Sequence, residues 1–115
     1  MLATSTAVLV KGIPGKGADG KALFLAKGCA TCHTFTPAGS TGTLGADLDK
    51  LPAEAQRAGR PLESFVRESI VNPNAYIEPK YQAGLMPQNF GTTLSKAELD
   101  ALVTFLVQGS KGSAK

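Results

Sequence analysis

Both cysteines of this 115-residue chain and its single histidine fall in one pentapeptide, Cys29-Ala30-Thr31-Cys32-His33. No other feature constrains the fold as strongly, because all the thiol and imidazole chemistry must be used at one place. On a helical turn the three side chains stand at i, i+3 and i+4 and share one face. The rest of the chain is short enough for one core, and its 13 glycines and 7 prolines imply long loops. A small, loop-rich domain commonly needs a staple. Two cysteines allow at most one disulfide, which makes a bound cofactor the more interesting staple.

Four readings of the pentapeptide compete. A structural zinc site needs four ligands, and Cys29, Cys32 and His33 supply three, so a carboxylate or a second chain would have to complete it. A thioredoxin-like dithiol belongs at a helix start after a strand, within a βαβ pattern. Here a helical run precedes the motif. Two buried cysteines beside a core histidine would explain the cluster only as coincidence. The remaining reading uses all three residues: Cys-x-x-Cys-His is the attachment motif for a c-type heme, with two thioethers to the porphyrin and the imidazole beneath the iron.

A second axial ligand is then required. The one histidine excludes bis-histidine ligation within the chain, which leaves methionine as the soft candidate. Met1 is the terminus, whereas Met86 lies in "AGLMPQNFG" just before the last helical run. A methionine more often fills gaps in a core. Pro87 stiffens the segment after it, and His/Met is the ligation of cytochromes c. Cys29, Cys32, His33 and Met86 are therefore the cofactor-binding residues, with His33 and Met86 on the metal.

The element pattern is helical throughout. A first helix is predicted from about Ala18 to Gly28, capped by Asp19, and it leads directly into the motif. Residues 34–51 read as a Gly/Thr-rich loop, with a short helix over Pro52 to Ala58. Leu62 to Val71 is a helix with Leu62, Phe65, Val66 and Ile70 on one face and Pro61 at its first position. It ends at Asn72, before Pro73. In the last helix Ser95 and Glu98 form a capping box, and Leu94 and Leu99 a hydrophobic staple. Leu99, Leu102, Val103 and Leu106 make its stripe, and Gly109 its end. No strand signal is visible. The expected organisation is an extension or linker remnant over 1–17, one domain over 18–109 and a flexible tail over 110–115.

A net charge of +3 spread over interleaved acids and bases excludes a nucleic-acid footprint. No segment approaches the roughly 18 apolar residues of a membrane span. "MLATSTAVLVKG" has no basic start and too short an apolar run for a signal peptide.

From about Asp19 to Gln108 the sequence resembles the class I bacterial cytochromes c. "DGKALFLAKGCATCH" looks like their attachment helix, and "LMPQNFGTTLSKAELDALVTFL" is similar to their methionine loop and final helix. "RESIVNPNAYIEPKYQAGLMPQNFG" is closest in character to monoheme domains of respiratory complexes, either fused to subunit II of heme–copper oxidases or serving quinol-oxidising complexes. The resemblance implies an all-α fold of three main helices and long loops around one covalent heme c. In it the first and last helices cross, with Gly20 and Phe24 meeting the last helix near Phe105. It also implies that a backbone carbonyl in "LGADL", where Ala46 replaces the family's proline, accepts a hydrogen bond from the proximal imidazole. Arg57 or Arg60 would pair with a heme propionate.

The implied function is one-electron transfer rather than catalysis, with redox proteins as partners: an oxidase, a quinol-oxidising complex or another cytochrome. Lys27 and Lys80 are candidates for steering an acidic partner. The alternative is a heme enzyme or gas-binding cytochrome with an open or displaceable sixth ligand. Heme attachment of this kind occurs outside the cytoplasm, so the expected location is the periplasm or the outer face of the bacterial membrane. With no export signal in the sequence, the expectation is a processed or truncated form whose anchor or partner subunit supplies the membrane association.

Overall fold

The structure, a computed structural model, describes residues 19–76, 84 and 86–113. Helix α1 (Gly20–Ala26) begins where predicted: the Asp19 carboxylate accepts from the Ala22 N–H at 3.2 Å. It stops earlier than the sequence suggests, because Gly28 adopts a left-handed φ of +82° that breaks the run before the cysteines. The motif then forms its own single turn, α2 (Cys29–Cys32), and His33 is already extended.

An expectation fails directly after the motif. Thr34–Phe35 (β1) and Ser40–Thr41 (β2) pair antiparallel, with Thr34 opposite Thr41 and Phe35 opposite Ser40. Two residues per strand are too few for alternation to register in a sequence. The pair is closed by a 3-10 turn over Thr36–Ala38 and by Gly39 in the left-handed region. It does not alter the helical class.

A 3-10 turn over Leu48–Lys50, capped by Asp47, runs into α3 (Leu51–Ala58), one residue longer than predicted. Helix α4 (Leu62–Val71) buries Phe65, Val66 and Ile70, and Pro61 is its N-cap rather than its first turn. A 3-10 turn over Pro73–Ala75 follows. The short α5 (Phe90–Thr93) precedes α6 (Lys96–Ser113). The capping box forms as read: Ser95 Oγ accepts from the Glu98 N–H at 3.1 Å, and Glu98 Oε1 accepts from the Ser95 N–H at 2.9 Å.

Gly109 does not end α6, which continues to Ser113. Its lack of a side chain serves packing instead of capping: a Cβ there would lie 2.7 Å from Phe35 Cζ and 2.9 Å from Pro37 Cγ. Ser110, expected in a flexible tail, is fully buried within the helix and donates to the Val107 carbonyl. The expected linker over 1–17 and Lys80 lie outside the described residues.

Helix α6 is the element on which α1, α3 and α4 all pack. At Gly20 a Cβ would meet Ala101 O and Phe105 Cβ, each at 2.5 Å, so only glycine lets α1 approach α6 this closely. Around that crossing Phe24, Phe35 and Phe105 form a triangle, with ring centroids 5.7, 6.0 and 5.2 Å apart. Phe24, Phe35, Val66, Leu102 and Val103 are the large apolar side chains most completely removed from solvent. Each contributes about 1.5–3 kcal/mol, against roughly 0–1 kcal/mol for an exposed ion pair. The core therefore outweighs the Arg67 pairs with Glu63 and Asp100 on the surface.

Candidate functional site

The helices enclose a cleft of about 460 Å³, within the range of roughly 300–1,000 Å³ for ligand sites. Its walls are largely apolar, supplied by Phe24, Leu51, Phe65, Val66, Ile70 and Leu102 among others. Cys29, Cys32 and His33 line this cleft, and so does Met86, which arrives from the loop before α5. Residues separated by more than fifty positions in the chain thus meet at one cavity.

The histidine is held on two sides. Its Nδ1 lies 2.8 Å from the Ala46 carbonyl oxygen. A carbonyl only accepts, so Nδ1 carries the proton and the Nε2 lone pair is left for a ligand. Burial lowers the imidazole below its ordinary value, with the Ala46 bond acting the other way, so the ring is neutral at pH 7. Gly45 backs the ring directly: a Cβ at that position would stand 2.6 Å from His33 Cε1 and 2.9 Å from Nδ1.

The segment that carries Gly45 and Ala46 is tied to the motif by its backbone. Gly45 N–H donates to the Cys32 carbonyl at 2.7 Å. Gly42 packs so closely that a Cβ would lie 2.5 Å from Thr31 O. Thr34 Oγ1 donates to the Gly42 carbonyl at 2.8 Å, and Ser40 Oγ donates to the His33 carbonyl at 2.9 Å. The stretch that reads as a featureless Gly/Thr loop is therefore a collar around the motif. The sequence hides this because a glycine's need for close approach depends on what it touches.

A further wall residue was missed. Glu54 is buried and lines the cleft. Its carboxylate accepts from Tyr76 Oη at 3.3 Å and pairs with Arg57. The signal was present, since Leu51, Glu54 and Ala55 share one face of α3 at i, i+3 and i+4.

The arginines are engaged elsewhere: Arg57 with Glu54 and Arg60 with Glu68, and neither lines the cleft. Either would have to exchange its present partner to reach a propionate.

The competing chemistries fit this geometry poorly. Burial pushes the Cys29 thiol up to about 11; a backbone hydrogen bond opposes the shift and Cys32 adds to it. A reactive dithiol needs the opposite displacement. Among the described residues no three His, Cys, Asp or Glu side chains converge on a metal-ion site. The donor set instead suits a porphyrin: two thiols on one turn for attachment, an oriented imidazole, a thioether, and apolar walls.

Residues 17–110 match the family model for Cytochrome c, and the chain belongs to the cytochrome c family. The helical architecture is that of a class I cytochrome c domain. The family carries covalently bound heme c, for which Cys29 and Cys32 stand in the attachment motif. Its members are heme-based electron-transfer proteins, generally carriers rather than enzymes, and typically work outside the cytoplasm. A search of curated proteins found no match.

Proposed function

We propose that this chain is a monoheme cytochrome that relays single electrons between respiratory-chain partners, with His33 and Met86 as axial ligands and Cys29 and Cys32 as the covalent anchors. The observation that carries the reading is that these four side chains line one apolar cleft. When bound, the heme supplies a one-electron iron couple.

The chain's own residues do the rest. Ala46 orients the imidazole through Nδ1 and raises its basicity as a ligand. His33 and Met86 would both hold the iron, which would leave it no coordination site for a substrate. The aromatic and aliphatic walls would keep water from a bound heme and so favour its less charged, ferrous state. Lys27, at the cleft wall beside the motif, is suited to steering an acidic redox partner toward it.

The stretch from Arg67 to Gly91 resembles domains of respiratory complexes, which supports a role as a domain or subunit of a membrane complex on its periplasmic or outer face. No helix among the described residues is long and apolar enough to cross a membrane, so membrane association would come through an anchor or a partner subunit. Oxidases, quinol-oxidising complexes and other cytochromes are the partner classes.

An optical spectrum tests the reading. Alkaline pyridine should yield a c-type hemochrome, and the ferric protein at neutral pH should be low-spin with a thioether-to-iron charge-transfer band. A high-spin ferric spectrum would favour an enzyme or gas-binding protein with an open sixth position. The absence of a hemochrome would remove the heme altogether.

A further inference from the structure

We infer that Asn74 is a positioning residue for Met86, its side-chain amide bridging the stretches of chain on either side of the methionine; this rests on Met86 being an axial ligand. Asn74 lies in the 3-10 turn Pro73–Ala75 that follows α4. Its Oδ1 accepts from the Gly84 backbone N–H at 3.0 Å. Its Nδ2 donates to Gln88 Oε1 at 2.8 Å. Gly84 and Gln88 flank Met86 symmetrically in the chain.

A single amide can hold both flanks because it carries an acceptor and a donor in one plane. The Gly84 N–H decides the orientation, since it must face the oxygen and thereby turns the NH₂ toward Gln88. The bracket is anchored in the core: Pro73, immediately before Asn74, is buried, as is Ile70 at the end of α4. Asn74, Gly84, Met86 and Pro87 all line the cleft. The bracket therefore joins the rigid helix to the segment that must present a weak thioether ligand.

Two hydrogen bonds of ordinary strength correspond to about a tenfold change in an equilibrium constant. That is small against the stability of a fold. It is decisive for a segment that exchanges between ligand-bound and released positions, because the population of the released state sets how readily another ligand reaches the iron.

The test uses the heme-loaded ferric protein titrated with imidazole, which competes with the thioether, while the charge-transfer band is followed. Asn74→Ala should bind imidazole about tenfold more tightly, and Gln88→Ala, which loses one arm, about threefold. Asn74→Asp keeps the acceptor for Gly84, and the exposed Gln88 can turn its amide to donate to the carboxylate, so this variant should stay close to the parent. Gln88 is exposed, so its variant remains informative if Asn74→Ala does not fold. Variants that lower the unfolding temperature yet bind imidazole as the parent does would overturn the inference. If the parent has no band and Met86→Ala matches it, the ligation reading itself fails, an outcome distinguishable from failure of the bracket alone.

Discussion

His33 Nδ1 and the carbonyl oxygen of Ala46 stand 2.8 Å apart, and this bond gives the motif its direction. The resemblance drawn from the sequence implies a proline in the family at the position where this chain has Ala46. The carbonyl does the chemical work and any residue supplies one, so the position holds its role without the proline ring. What cannot be exchanged is the residue before it.

Gly45→Ala should therefore be damaging although it adds one methyl group. The new Cβ would stand 2.6 Å from the imidazole, forcing the ring or the collar to move at a cost of about 1–3 kcal/mol. Thermal unfolding of the heme-loaded protein should show the loss, together with an altered ferric spectrum. Unchanged unfolding and an unchanged spectrum would mean that the ring is not held by this contact.

Gly20→Ala should weaken the seam between α1 and α6. The added Cβ meets a backbone oxygen and the Cβ of Phe105, both at 2.5 Å, and neither is the far end of a flexible side chain. A cost of about 1–3 kcal/mol is expected, and a domain of this size loses about 4–8 °C of Tm per kcal/mol. A calorimetric Tm equal to the parent's would contradict the tight crossing. The spectrum should stay close to that of the parent, since Gly20 does not line the cleft.

Glu54→Gln removes a negative charge from the cleft wall while keeping its shape. Buried negative charge favours the ferric state, so its removal should raise the reduction potential, by an amount on the order of 59 mV, a tenfold change for a one-electron couple. Potentiometric titration of both proteins measures this. An unchanged or lowered midpoint would mean that the Glu54 side chain does not act on the heme iron.

Acid should loosen the surface tie between α4 and α6. Hydrogen bonds from Lys96 and Arg67 hold the Asp100 carboxyl below its ordinary value. A depressed folded value means that the stabilisation is fully present above the ordinary carboxylate range, near pH 4. It is then lost as pH falls through the folded value. Asp100→Asn should flatten the decline in Tm below about pH 4, and added salt should shrink the difference. An unchanged acid limb in the variant would show that this pair contributes nothing to the pH dependence.

The parts of the fold legible in the sequence were those specified locally. Asp19, Ser95 and Glu98 cap helices through contacts within one turn, and the Phe65, Val66 and Ile70 face follows from periodicity. The pentapeptide was legible because its chemistry depends on spacing alone. The collar was not, because Gly42 and Gly45 are needed for what they touch across the chain. Gly109 misled for the same reason: at a helix end glycine reads as a stop, yet here it admits Phe35 and Pro37. The ion pair of Arg60 with Glu68 also depends on how α3 and α4 meet, which neither residue signals alone.

Met86→Ala is the most direct test of the central claim, that His33 and Met86 together ligate an electron-carrying heme. The measurement is the reduction potential of parent and variant, read with their ferric spectra at neutral pH. The account predicts a lower potential in the variant, loss of the charge-transfer band and access of small exogenous ligands to the iron. A variant whose potential and spectrum match those of the parent would contradict it.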